Sequence, residues 1–150
     1  MSATDWSILG GTFLGGAFPW LEAIVVIPAG ILAGAPAFAV LISGVLGNLF
    51  TVWLAAVFGE QIRNWWLARR KKRCESKPRN PRVDRVMKKW GMPGLALLGP
   101  LGLGTQISAL VAVAMGIRWQ SAVLWVGLGT LFWASIAAAL TVAGLDFFAA

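Results

Sequence analysis

The chain has no histidine, one cysteine and only six acidic residues, and each shortage removes a class of chemistry. Without histidine there is no usual general base, no side chain that changes charge near neutral pH, and no commonest metal ligand. A lone thiol, Cys74, can neither close an intrachain disulfide nor supply a metal cluster. No pair of carboxylates is set for acid–base work, and the glycine run ending at Gly104 is not a nucleotide-binding loop because no lysine follows it. We therefore expect no enzyme, no cofactor and no metal. Charge is scarce as well: 13% of residues are charged and 58% are apolar, against about 25% and 45–50% in soluble domains. Too few polar side chains remain to cover a globule of this length. A soluble domain, a disordered chain and a disulfide scaffold are excluded, and an integral membrane protein is left.

The charge that is present is concentrated. Twelve of the thirteen Lys and Arg lie between Arg63 and Lys89, the exception being Arg118. The net charge of +7 thus belongs to one hydrophilic loop. A basic chain can bind nucleic acid, but here the basic residues form a tether between membrane segments rather than a folded domain. Met1 to Ser7 carry no Lys or Arg and so lack the positive region of a cleavable signal peptide.

Four apolar stretches stand out. Residues 37–59 and 121–145 are uncharged and long enough to cross a hydrocarbon core of about 30 Å, which takes about 20 helical residues. Residues 8–34 and 92–117 are also long, but Pro19, Glu22 and Pro28 interrupt the first, and Pro93, Pro100, Gly99, Gly102 and Gly104 the second. Proline removes a helix donor, and broken backbone at membrane depth is tolerated only where protein or water satisfies it. Both read as re-entrant helical hairpins, shaped by Pro19, Pro28, Gly30, Pro100, Gly102 and Gly104. The expected fold is an all-α integral membrane domain of two inverted repeats, each a hairpin followed by a transmembrane helix. Such repeats place a transporter's site at their interface near the midplane.

Orientation follows from the positive-inside rule, which puts loop 60–90 in the cytoplasm. Hairpins then leave both termini outside and all thirteen basic residues inside. Four full crossings would instead put both termini in the cytoplasm and Arg118 outside. We expect hairpins. Trp65, Trp66, Trp90 and Trp119 would mark the cytoplasmic interface, with Trp53, Trp125 and Trp133 deeper as packing residues. The small pairs Gly11/Gly15, Gly30/Gly34 and Ser43/Gly47 would permit close helix contact.

Within the loop, Arg69, Arg70, Lys71, Lys72 and Arg73 extend the second helix beyond the bilayer. Val83, Val86, Met87 and Trp90 then recur at i, i+3, i+4 and i+7, with Arg82, Arg85, Lys88 and Lys89 opposite, an amphipathic surface helix. The arginines and lysines of 69–73, with Lys88 and Lys89, are expected to contact anionic headgroups.

Glu22 is the one ionisable residue inside an apolar stretch. A charge at that depth is costly, faces a bundle interior or wet cavity, and marks a pathway. Such a carboxylate can exchange a proton for a cation or be displaced by substrate. Its alternative role is an acid in the first turn of a half-helix, favoured by the dipole. Thr105, Gln106 and Ser108 follow the glycine break and would line the opposite hairpin tip, or else satisfy broken backbone there. Asn48, a lone amide in the second span, would make an interhelical hydrogen bond or touch substrate. Arg63 near the interface reads as a snorkelling anchor.

Glu22 followed by Pro28-Ala29-Gly30 resembles a signature of the small multidrug export protein family, related at fold level to the DedA (SNARE-associated, VTT-domain) superfamily. Trp90-Gly91-Met92-Pro93-Gly94 and Gly99-Pro100-Leu101-Gly102-Leu103-Gly104-Thr105 are similar to that family's second half, and Gly47-Asn48 to a Gly-Asn pair in its first span. Two departures stand out: the turn lacks the family's second proline, and the DedA arginine pattern is absent. The resemblance implies a bacterial inner-membrane protein with inverted hairpins that acts as a transporter. The expected function is a small exporter, proton-coupled through Glu22, with a small-molecule or lipid substrate and a homodimeric assembly. The alternatives are a flippase for an anionic lipid such as a polyprenyl phosphate, or a non-transporting scaffold with a lipid-binding loop.

Overall fold

The computed structural model describes residues 2–19, 21–70, 91, 93–94 and 104–149. Five helices are fully bounded: α1 Ala3–Ala17, α2 Glu22–Leu32, α3 Ala37–Arg70, α4 Thr105–Ala114 and α5 Trp119–Ala149. No strand occurs among the described residues. Lys71, Lys72, Arg73, Lys88, Lys89, Pro100, Gly102 and the amphipathic segment 83–90 lie outside the described residues, as does the Arg70 side chain.

Two helices, Ala37–Arg69 and Trp119–Phe148, are long and apolar enough to cross a membrane. The others are not: α1 has 15 residues, α2 11 and α4 10, or about 15–22 Å at 1.5 Å per residue. α1 begins upstream of the apolar stretch because Ser2 and Asp5 form a capping box, each side chain bonding the other's main-chain N–H. It ends at Phe18, the chain turns through Pro19, and α2 starts at Glu22. Pro28 does not break α2, which runs through it to Leu32.

Helix directions follow from the contacts. Ser43 Oγ donates to the Leu9 carbonyl (2.7 Å), and a β-carbon at Gly47 would collide with the Phe13 carbonyl and meet the Ala17 nitrogen at 3.1 Å. α1 is therefore parallel to α3 and ends beside Gly47. Ile27 meets Gly44 and Gly30 meets Val40, so α2 is antiparallel to α3 and begins at the level of Asn48. The backbones of α1 and α3 touch at Gly16, Gly44 and Gly47, where any side chain would strike a carbonyl or a packed side chain. Gly11 and Gly34 have open space around them, so of the small pairs expected to pack, these two members do not.

α3 and α5 run antiparallel. One core joins Val40 and Val45 to Ala134 and Ala138, with Ala23, Ile27 and Ile31 of α2. The other joins Val52 and Ala56 to Ala122 and Val126, with Ala109, Ala112 and Val113 of α4. The two cores correspond residue by residue. Buried Val40, Gly44, Val45, Gly47, Asn48, Val52 and Ala56 of α3 recur at one constant spacing as buried Ala122, Val126, Gly127, Gly129, Thr130, Ala134 and Ala138 of α5. At the same spacing, Ala23, Ile27, Gly30 and Ile31 of α2 match Thr105, Ala109, Ala112 and Val113 of α4, all buried. Both short helices end alike, on a glycine with φ +92° (Gly34) or +96° (Gly116). The following residue's N–H closes back on the helix, Ala35 to the Gly30 carbonyl and Ile117 to that of Ala112.

Large apolar side chains cover the outside, among them Leu14, Phe38, Phe50, Leu124, Phe132 and Leu140. Trp53 and Trp125, expected to be interior packing residues, are 41% and 37% exposed. An apolar ring facing lipid needs no protein partner, so depth does not enforce burial within the protein.

Candidate functional site

The starts of α2 and α4 meet beside the middle of α3. Gly104, at φ +86°, leads into α4 and has no side chain to cap it. The cap comes from the other half: Thr105 N–H donates to Glu22 Oε1 at 2.8 Å. A carboxylate there satisfies an orphan donor and complements the helix dipole. A β-carbon on Gly104 would sit 3.0 Å from that same oxygen, a tight contact at a residue whose φ of +86° already favours glycine. Glu22 itself has φ +30°, the one positive φ on a non-glycine among the described residues. Such backbone is strained by about 1–3 kcal/mol and persists where the surroundings impose it. Gly104, across the bond, also has a positive φ, which a glycine bears at less cost.

Four polar side chains continue from Thr105 in a ring. Asn48 Nδ2 donates to Thr105 Oγ1 (3.0 Å), and that hydroxyl donates to Gln106 Oε1 (3.0 Å). Gln106 Nε2 donates to Thr51 Oγ1 (3.2 Å), which donates to the Asn48 main-chain carbonyl (3.0 Å). Asn48, Thr105 and Gln106 are buried. The directions are set all round the ring, and one acceptor is left out: Asn48 Oδ1 is buried without a hydrogen-bond partner.

Of the residues singled out in the sequence, Glu22, Thr105, Gln106 and Asn48 come together. Ser108 is buried but bonds back to the Gly104 carbonyl (2.7 Å), its own helix's first turn, and stands outside the ring. Gly30 lies inside α2 rather than at a turn, and a β-carbon there would collide with Val40 and the Thr12 hydroxyl. Arg69 lies over the Trp65 ring, 3.9 Å from its centroid. Arg63 is half-buried and donates from Nη1 to the Val113 carbonyl (3.1 Å), closing the C-terminal end of α4. The sequence reading did not include Thr51. Its signal was the i, i+3 spacing from Asn48, which puts both on one helix face.

The sequence profile of a family described as "Putative small multi-drug export protein" matches residues 22–136, from the site carboxylate through most of α5. No curated protein and no solved structure matches the chain.

Proposed function

We propose that this chain, which belongs to the small multi-drug export protein family, is a proton-coupled exporter of the bacterial inner membrane, with Glu22 as its coupling or substrate-binding carboxylate. The observation that carries this is Glu22 seated where two short helices begin, beside Asn48 of a long apolar helix, on a buried polar ring contributed by both halves. A formal charge at such depth is retained for a pathway rather than for stability. The family's description is that of an exporter, which favours transport over catalysis.

We read the two halves as inverted repeats with re-entrant hairpins. The constant spacing of buried positions supports a repeat, and the antiparallel α3 and α5 support its inversion. α1 stops beside Gly47 and α2 returns from there, as a hairpin reaching only the midplane would. A shared two-fold of this kind is also the basis for keeping the fold-level kinship with DedA proteins. The basic loop would then be cytoplasmic, both termini periplasmic, and the arginines at 69 and 70 within reach of anionic headgroups. A second copy of the chain would help seal so small a bundle.

The test is efflux of ethidium from proteoliposomes under an imposed proton gradient. Wild-type protein should drive efflux that collapses when the gradient is dissipated, and Glu22→Gln should abolish it. Gradient-independent efflux, or an active Glu22→Gln protein, would remove proton coupling through Glu22. Movement of a labelled anionic lipid without any gradient would replace the exporter by a flippase.

A further inference from the structure

The ring around Thr105 has an unused acceptor and a neighbouring carboxylate, and together they specify a ligand. Asn48 Oδ1 is fully buried and accepts nothing, although an amide oxygen has capacity for two hydrogen bonds. Leaving such an atom unpaired is costly in a buried site. Among the described residues no donor reaches it: the Thr105 and Thr51 hydroxyls donate elsewhere, and the Gln106 amide donates to Thr51. Glu22 is held on the same residue, Thr105, through a single bond to its N–H. A carboxylate accepts about four, so most of its capacity remains. Arg63 donates to Val113 at the opposite end of α4, about 12 Å further along the axis. Among the described residues the site therefore offers an unpaired acceptor and a carboxylate, with no cation in contact with either.

We propose that Asn48 Oδ1 and the Glu22 carboxylate together bind a protonated amine, the ammonium N–H groups filling the acceptor that the ring leaves empty. This rests on the transport reading and names its substrate class: cationic molecules carrying an N–H donor. Quaternary cations match the charge but can donate to neither Asn48 Oδ1 nor the Glu22 carboxylate, so both acceptors favour the N–H cation and the amide supplies its own share of the preference.

The test is calorimetric titration of the detergent-solubilised full chain with benzylammonium and benzyltrimethylammonium, which share ring and charge but differ in N–H donors. Wild-type protein should bind benzylammonium at least about tenfold more tightly, the worth of one charge-assisted hydrogen bond. Asn48→Leu should narrow the preference about tenfold, the share of that one bond, leaving whatever the Glu22 carboxylate contributes. Asn48→Asp keeps an oxygen acceptor and should keep the preference, and it decides the matter if the leucine variant does not elute as a folded species. Equal wild-type affinities, no binding of either probe, or a preference undiminished in Asn48→Leu would overturn the proposal. An amine preference that depends on Asn48, in a protein that moves nothing across the membrane, upholds the site and defeats the transport reading instead. Ethidium efflux that is Glu22-dependent but undisturbed in Asn48→Leu, with no amine preference, leaves transport standing and overturns the amine site.

Discussion

Replacing Thr105 by valine removes a hydroxyl while nearly preserving volume. The hydroxyl accepts from Asn48 Nδ2 and donates to Gln106 Oε1, both at 3.0 Å and both buried. Its loss strands one donor on α3 and one acceptor on α4. In membrane bundles each such bond is worth about 0.6–2 kcal/mol, since the unfolded chain in lipid also finds partners. Thr105→Val should therefore destabilise the protein by about 1–3 kcal/mol. Thr105→Ser keeps both bonds and loses one methyl, at under about 1 kcal/mol. The assay is equilibrium unfolding in mixed micelles of increasing denaturing detergent, followed by far-ultraviolet circular dichroism. A double-mutant cycle with Asn48→Leu isolates the α3–α4 bond, and the pair should be non-additive by at least about 0.5 kcal/mol. If the valine variant is as stable as wild type, if the serine variant costs as much as valine, or if the cycle is additive, the ring is not the clasp between the halves.

Three further outcomes follow from neighbouring contacts. Gly104→Ala puts a β-carbon against Glu22 Oε1 at a residue with φ +86°; it should cost about 1–2 kcal/mol and release the carboxylate, read as faster labelling of Glu22 by a carbodiimide. Gly47→Leu should separate α1 from α3, because the added side chain collides with the Phe13 carbonyl; protease sensitivity near residue 18 should rise while the α3–α5 pair stays helical. Arg63→Gln removes the charge that closes the C-terminal end of α4 and should lower stability by about 0.3–2 kcal/mol, with no effect if the guanidinium merely anchors at the interface.

What could be read in advance was whatever a single stretch of chain decides. Uncharged length marked α3 and α5, and proline and glycine marked where α1 ends and where α4 begins. Glu22 was conspicuous because charge in an apolar run is locally visible. Pairing was not: nothing near Asn48 says that its amide reaches Thr105, far away along the chain, or that Glu22 caps a helix in the other half. Thr51 was missed because a threonine in an apolar helix ordinarily bonds its own backbone, and here it does so while also accepting from Gln106. The sequence offered a repeat only as broken segment then clean span. The buried positions that align at one spacing share few residue types, Asn48 standing against Thr130 and Ala23 against Thr105, so their correspondence lies in burial rather than in residue type.

Inverted half-membrane hairpins would put the chain's two ends and the loop between α2 and α3 on one side, and the start of α5 on the other. Single cysteines at Ser2, Ala35, Gln120 and Phe148, in a Cys74→Ser background, challenged with a membrane-impermeant maleimide on intact cells, test it in one experiment. Labelling at Ser2, Ala35 and Phe148 with protection at Gln120 is the result that inverted half-membrane hairpins require. Labelling at Ala35 and Gln120, with Ser2 and Phe148 protected, would mean four full crossings and would contradict it.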